Sequence, residues 1–157
     1  MIDNFPEWVQ IFLYSMIPGL EARYTVPLVA IREFGWSWWQ AFLVAIPGNL
    51  FLVPLILKFF KNVELFLTRF PRWKKAMDWG FPVIRRRADK KIRTYETLAL
   101  LFFVAIPLPF TGAGLGSLIA VLFDLRFTSS LLMIALGVII STALTTLIYV
   151  TGSIYIC

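Results

Sequence analysis

Two breaks in the apolar segments of this chain carry residue types that could bind a ligand inside a membrane. The first break, Pro18-Gly19, is followed at once by Glu21 and Arg23, which stand between apolar runs. A charge at membrane depth is energetically costly and is by default a sign of function. Glu21 is a candidate proton acceptor, because burial disfavours the charged form of a carboxyl group. Arg23 is a candidate ligand for a phosphate or carboxylate, because the planar guanidinium matches the geometry of these anions.

The second break lies 89 residues further along the chain and carries no charge. It contains Pro107 and Pro109 and continues through Thr111, Gly112 and Gly114. Such residues leave backbone N–H and C=O groups free to face a ligand, and a helix starting near Gly114 could hold an anion at its N-terminus. The alternative is that the glycines only allow helices to cross closely. The segment is not a Walker loop, because the terminal Lys-Ser/Thr pair is missing.

Three further polar residues are candidates for a binding site. Asn49 lies inside an apolar stretch, where its amide could bind either a ligand or broken backbone. Asp124 and Arg126 stand near the end of an apolar run, where pairing and extension towards water explain them as well as ligand binding does. Glu21 and Arg23 have a similar structural alternative, namely a mutual ion pair that only fixes the turn.

The composition predicts that these residues sit in a membrane protein. The 157-residue chain is 59% hydrophobic and only 15% charged, with a mean hydropathy of +0.79. Soluble domains carry about 25% charged residues, and a soluble fold of this length could not hide so much apolar surface. We therefore expect a single all-helical membrane domain. The chain has no histidine and its one cysteine is Cys157, so ligands for zinc, haem or an iron–sulfur cluster are almost absent and we expect no cofactor or metal.

Two kinds of apolar segment alternate in each half of the chain. The short runs cannot cross a bilayer, which takes ~20 helical residues, and each pair of short runs flanks a break, which predicts a re-entrant hairpin. Each hairpin is followed by a segment long enough to span. In chain order the segments are predicted at Phe5–Ile17, Val26–Ile31 and Ala41–Phe60, then at Thr97–Pro107, Leu115–Leu125 and Phe127–Tyr149.

The matching order of features predicts an internal repeat. A shift of 89 residues pairs Pro18 with Pro107 and Gly48 with Gly137. Each half crosses the membrane an odd number of times, so the two halves run in opposite senses. The sequence therefore predicts two inverted repeats, residues 1–60 and 97–157, joined by a linker at 61–96. Broken helices at corresponding positions of two halves are typical of a transporter's binding site.

The linker carries most of the positive charge. Twelve of the fifteen Lys and Arg residues, but four of the nine acidic residues, lie between Lys58 and Glu96. In a soluble protein a basic patch would suggest nucleic acid, but between membrane segments it is typical of a cytoplasmic loop. We expect no nucleic-acid partner, an amphipathic helix around Ile84–Tyr95 that meets anionic lipid headgroups, and a location in the plasma membrane of a prokaryote.

The residues at the two breaks resemble the motifs of a known family. Pro18-Gly-Leu-Glu-Ala-Arg23 with Pro27 looks like the first motif of the small multi-drug export membrane proteins. Phe103-Val-Ala-Ile-Pro-Leu-Pro-Phe-Thr-Gly-Ala113 with Gly116 looks like the second. This family is similar to the DedA group, which includes the eukaryotic VTT-domain scramblases. The resemblance implies facing re-entrant hairpins and lipid-related transport such as polyprenyl-phosphate recycling, with Glu21 and Arg23 as the functional pair of the first half.

Several classes of function remain open from the sequence. The first is a proton- or ion-coupled carrier that moves an amphipathic anion or lipid headgroup by alternating access at the two hairpin tips. The second is an uncoupled lipid scramblase that uses the same groove, and a small-molecule exporter is a further reading. A structural protein does not explain two broken hairpins. An enzyme would need a nucleophile–base pair or a set of metal ligands, and neither is visible.

Membrane lipids and a second copy of the chain are the expected partners. Two hairpins and two spans provide few helices to surround the broken backbone, which must be covered by protein or face a water-filled cavity. A second copy of the chain would supply the missing cover, and a two-fold dimer is the commonest oligomer. Gly137, Ser141 and Thr145 share one face of the second span, and small residues let helices approach closely in lipid. We predict that this face contacts the second chain.

Overall fold

Helices form the regular structure of the chain. The computed structural model describes residues 4–67, 90–108 and 111–156, with side chains at 4–59, 95–108 and 111–152. Within these ranges every regular element is helical, which confirms the all-α class. Of the predicted amphipathic helix at Ile84–Tyr95, residues 84–89 lie outside the described residues, and residues 90–95 form the first part of a longer helix. The elements are α1 Glu7–Met16, α2 Glu21–Tyr24, the π-helix π1 Thr25–Ile31, α3 Trp38–Leu67, α4 Lys90–Ala105, α5 Ala113–Leu122 and α6 Phe127–Ile156.

The first break has a local cause in its proline and glycine. Helix α1 ends at Met16, and Ile17 is already extended. Pro18 has no N–H to continue the helix, and Gly19 takes a left-handed φ of 100°, which glycine adopts without steric cost. Glu21 also has a positive φ of 46°, and the chain re-enters a helix there. The second arm therefore starts earlier than Val26, and Pro27 falls in the π-helical part.

The two long helices are the membrane-spanning candidates. Helices α3 and α6 have 30 residues each, and their first residues, Trp38 and Phe127, are 89 positions apart. Their apolar stretches, Trp38–Phe59 and Phe127–Gly152, are long enough to cross a bilayer. Large apolar side chains project from both helices, with Leu43 at 68% and Ile148 at 65% exposed. Such a surface suits lipid rather than water.

Each long helix packs against short arms of both halves. Helix α3 contacts α1, the α2–π1 segment and α5, whereas α6 contacts α4, α5 and the α2–π1 segment. A Cβ at Gly48 would come within 2.6 Å of the carbonyl oxygen of Phe12, and a Cβ at Gly137 within 3.2 Å of that of Leu101. Glycine at both places lets an arm lie against the long helix.

The contact predicted for Gly137, Ser141 and Thr145 is wrong. A Cβ at Gly137 would meet Val104 of the same chain at 2.7 Å. Ser141 is 2% exposed, and Thr145 donates a 2.8 Å hydrogen bond to the carbonyl oxygen of Arg23. This face of α6 is covered by α4 and α2 of its own chain, because the small residues that suit a helix dimer also suit packing inside one subunit.

The two ends of α3 have different neighbours. Just before its first turn, Nε1 of Trp36 donates a 2.7 Å hydrogen bond to Glu7, so the beginning of α1 and the end of the second arm lie together. Lys58 lies on α3 twenty residues after Trp38, and its ammonium group is 5.8 Å from the centre of the Phe127 ring. That helical distance is about 30 Å, close to the thickness of a bilayer core.

Candidate functional site

Glu21 and Arg23 form a buried ion pair. The Glu21 carboxylate lies 2.9 Å from Nη2 of Arg23, and the two residues are 7% and 2% exposed. Both belong to the short helix α2 directly after the first break. The Arg23 guanidinium also lies 5.6 Å from the centre of the Tyr24 ring. A buried pair of this kind is expensive to separate, because either partner alone would leave an uncompensated charge.

Arg23 reaches across to the second break. Its Nη1 donates a 3.0 Å hydrogen bond to the carbonyl oxygen of Leu108 and a 3.2 Å bond to the hydroxyl oxygen of Thr111. The Thr111 hydroxyl in turn lies 2.8 Å from the carbonyl oxygens of Ile106 and Leu108, either of which can accept its proton. One side chain thus joins the segments that follow Pro18 and Pro107.

The Glu21 carboxylate is enclosed by neutral donors from two other helices. The backbone N–H of Ala113 and the side-chain amide of Asn49 both act on it as hydrogen-bond donors. Gly112, which precedes α5, has no Cβ, and one built there would overlap the carboxylate. Gly112 has no side chain to cap α5. The Glu21 carboxylate lies at the N-terminus of that helix instead, where the helix dipole is partly positive.

Helix α6 adds hydroxyl groups that have no partner. Ser141 and Thr142 line the narrow crevice that Glu21 and Arg23 share with Asn49. Their hydroxyl oxygens and Nε of Arg23 are buried without a hydrogen-bond partner, although buried polar groups are nearly always paired. The crevice has no free space for a water molecule. The site therefore holds more hydrogen-bonding groups than its present contacts use.

The site lies at half the length of the apolar stretch Trp38–Phe59. Asn49 is eleven residues beyond Trp38, the first residue of α3. This corresponds to about 17 Å along a helix axis, against a bilayer core of about 30 Å.

The predicted site residues fall into three groups. Glu21, Arg23, Asn49, Thr111 and Gly112 are brought together, as described above. Asp124 instead lines a second pocket with Lys58, and Asp124 and Arg126 are exposed. The remaining candidates are not among the residues that line the crevice of the ion pair: Pro18 is exposed, Pro107 is half-buried, and a Cβ at Gly114 would meet no atom within 4 Å. Pro109 lies outside the described residues.

Ser141 and Thr142 were missed as site residues. Hydroxyl groups on an apolar helix predict close helix packing as readily as ligand binding, so the sequence alone directs attention to the wrong role. Only the structure reveals their role: Thr145, four and three residues further along α6, lies 2.8 Å from the carbonyl oxygen of Arg23, so this face of α6 lies against the ion pair. Among the side chains described at 4–59, 95–108 and 111–152, no three metal-ligating groups lie together.

An apolar groove lies between the arms of the second hairpin. It has a volume of about 510 Å³, including its open side, and Glu96 and Leu125 stand among its lining residues. The other lining residues are apolar, namely Ala99, Leu100, Phe103, Ile119 and Phe123. Glu96 and Leu125 hold the positions 89 residues after Glu7 and Trp36, whose side chains contact each other in the first half.

The helices and the buried site together define a small helical membrane protein. The model of the small multi-drug export protein family matches residues 21–144, a range that starts at Glu21 just after the first break and includes the second break and most of both long helices. The chain belongs to this family. No curated protein and no solved structure matches the chain.

Proposed function

We propose that this protein is a DedA-like transporter that moves an amphipathic anion or a lipid headgroup across the plasma membrane of a prokaryote. The path runs past the tips of two oppositely inserted re-entrant hairpins, and transport is coupled to protons or another ion. The observation that carries the proposal is the buried contact of Arg23 with Glu21 and with Leu108, because it sets a guanidinium at the meeting point of both breaks.

The repeated contacts support an inverted repeat. Gly48 against Phe12 and Gly137 against Leu101 are the same contact 89 residues apart. The left-handed residues that precede the long helices, Gly35 and Asp124, have the same spacing. The linker at 61–96 is proposed to be cytoplasmic, because basic loops face that side. The first hairpin then enters from outside and the second from the cytoplasm.

Arm lengths and end contacts support re-entrant hairpins. Helices α1 and α5 have 10 residues each, or about 15 Å, half the depth of a bilayer core. The hydrogen bond from Trp36 to Glu7 joins the outer ends of the first hairpin. A hairpin whose ends meet on one side returns to the side from which it entered.

A buried cation and a separate apolar groove, both bordered by α4, suit an amphipathic anion. Arginine binds phosphate and carboxylate through parallel hydrogen bonds. Because Arg23 is buried, leaving its charge without an anionic partner would be costly. The groove that contains Phe103 and Phe123 is apolar enough for an acyl or prenyl chain. Val104, one residue beyond Phe103 on α4, lines the crevice of the ion pair.

Transport into vesicles tests the proposal. The purified full-length protein is reconstituted, and uptake of a fluorescent decyl phosphate is followed with and without an imposed pH gradient. Uptake that depends on the protein and the gradient is expected, and Arg23→Gln is expected to abolish it. The exposed Arg32→Gln is the matched control and should retain uptake. Uptake unaffected by Arg23→Gln would refute the proposed path.

Two alternatives give different results in the same vesicles. An uncoupled scramblase moves the probe at a rate that no pH gradient changes. A small-molecule exporter, which the family description favours, moves lipophilic drugs and leaves the phosphate probe behind.

A second copy of the chain is part of the proposal. At the first tip Ile17 and Leu20 are 40% and 38% exposed, and Pro18 and Gly19 between them are exposed as well. Broken backbone at membrane depth needs a protein cover or water. A homodimer that joins at the hairpin tips supplies such a cover, in place of the α6 face that the single chain already fills.

A further inference from the structure

We propose that the Glu21 carboxylate occupies, in the resting protein, the site that receives the anionic group of the substrate. A substrate phosphate and the Glu21 carboxylate then exclude each other, and protonation of Glu21 opens the site. This inference rests on the proposed function, since it names the anion class and the coupling step at the same crevice.

The contacts of Glu21 are those of a bound anion. It accepts from Nη2 of Arg23 at 2.9 Å and faces the N–H of Ala113 and the amide of Asn49. Ala113 is the first residue of α5, and helix N-termini bind phosphates and carboxylates through their free N–H groups and dipole. Gly112 leaves room for the carboxylate where any side chain would overlap it.

The backbone of Glu21 is unfavourable for its residue type. Its φ of 46° lies in the left-handed region, which non-glycine residues seldom adopt and which is frequent at functional sites. The interactions of the carboxylate help to hold this conformation, so their loss favours a backbone change that withdraws the side chain.

The site has donors that Glu21 does not use. Nε of Arg23 and the hydroxyl oxygens of Ser141 and Thr142 are buried and unpartnered, and all three residues line the crevice with Glu21. A phosphate group has more acceptor oxygens than a carboxylate and can engage Nε and Nη2 of one guanidinium in parallel. The unused donors therefore favour a phosphate monoester over a carboxylate as the ligand.

Space makes the two anions mutually exclusive. The crevice has no free volume even for water, so a phosphate enters only when the Glu21 side chain leaves. Glu21 and Arg23 are the charged residues among those lining it. A Glu21 carboxylate that is displaced from the guanidinium but stays among apolar segments takes up a proton from solution, because an unpaired buried charge is costly, so binding of one phosphate group is accompanied by uptake of one proton.

Equilibrium binding tests this competition. Decyl phosphate is titrated into the full-length protein in a neutral maltoside detergent at pH 5.5 and pH 8, and binding is measured by calorimetry. Glu21→Gln, which keeps the size of the side chain, is expected to bind at least about tenfold more tightly than the native protein at pH 8, with a smaller ratio at pH 5.5. The titration of the ligand itself cancels in this ratio. Equal or weaker binding by Glu21→Gln at pH 8 would overturn the inference.

A second measurement compares proton uptake by the native protein and by Glu21→Gln. The binding enthalpy at pH 8 in buffers of different ionisation enthalpy reports proton exchange with the buffer. The native protein is expected to take up about one more proton per bound ligand than Glu21→Gln, because Glu21 binds that proton. Identical proton exchange in the two proteins would overturn the inference. Inorganic phosphate titrated in parallel should bind more weakly, since a lipid headgroup is the proposed source; equal binding would contradict that source.

Arg23→Gln separates the two proposals. If the native protein binds decyl phosphate and Arg23→Gln does not, the anion site at Arg23 is supported. The result for Glu21→Gln then tests only the competition between the Glu21 carboxylate and the phosphate. If native and Arg23→Gln proteins bind equally, the proposed function fails together with the inference.

Discussion

Arg23 and Leu108 connect the two breaks: Nη1 of the arginine donates a 3.0 Å hydrogen bond to the leucine carbonyl oxygen, 85 residues further along the chain. Leu108 directly follows Pro107, and Arg23 lies five residues after Pro18. Because the donor sits on one hairpin and the acceptor on the other, relative movement of the tips must break this bond. The bond therefore links the segments that follow the two breaks directly.

Gly112 is expected to tolerate no side chain. Gly112→Ala would bring a Cβ into the Glu21 carboxylate, and the displaced ion pair should lower stability by about 1–3 kcal/mol, as overpacking does. Gly114→Ala, two residues further on with no atom near its Cβ, should instead stabilise α5 by roughly 0.5–1 kcal/mol. Thermal unfolding in detergent measures both, and equal effects would count against the tight fit at Gly112.

Thr145 is expected to support the functional arginine through the backbone. Thr145→Val removes the hydroxyl that lies 2.8 Å from the carbonyl oxygen of Arg23 and should cost about 1–3 kcal/mol, because a part-buried acceptor loses its donor. Thr151→Val on the exposed end of the same helix is the control and should change the unfolding temperature little. Similar losses in the two variants would show that the Arg23 contact contributes nothing.

The repeated glycine contacts are expected to respond alike. Gly48→Ala and Gly137→Ala should each destabilise the protein by about 1–3 kcal/mol, since both Cβ atoms would meet a packed arm at 2.6–2.7 Å. Gly152→Ala, which has open space around it, should not. A large loss at one glycine and none at the other would argue against equivalent packing in the two halves.

The proposed dimer predicts cross-linking at the first hairpin tip. In a Cys157→Ser background, Leu20→Cys should form cross-linked dimers with a short bismaleimide in native membranes. Leu43→Cys, more exposed at 68% but on the side of α3, should remain monomeric. Cross-linking of Leu43→Cys without cross-linking of Leu20→Cys would contradict a dimer contact at the first hairpin tip.

Local signals in the sequence predicted the elements, and long-range contacts are what they missed. Pro18, Pro107 and the apolar lengths predicted the order of arms and long helices, although several helix ends differ from the predicted ones by five to seven residues. Glu21 and Arg23 stood out because charge is rare in such a segment. The bond to Leu108 involves a backbone carbonyl, which no residue type reveals. The burial of Ser141 likewise depends on how α6 packs. Its spacing from Gly137 and Thr145 is compatible with a contact either to a second chain or to other helices of the same chain.

Oppositely inserted hairpins underlie the proposed transport path, and cysteine labelling tests their orientation most directly. Glu33→Cys and Asp124→Cys, each at the exposed outer end of a second arm, are made separately in the Cys157→Ser background and treated with a membrane-impermeant maleimide. In intact cells Glu33→Cys should react and Asp124→Cys should not; in inside-out vesicles the pattern should reverse. Reaction of both cysteines from the same side would contradict two hairpins that meet at Arg23 from opposite faces of the membrane.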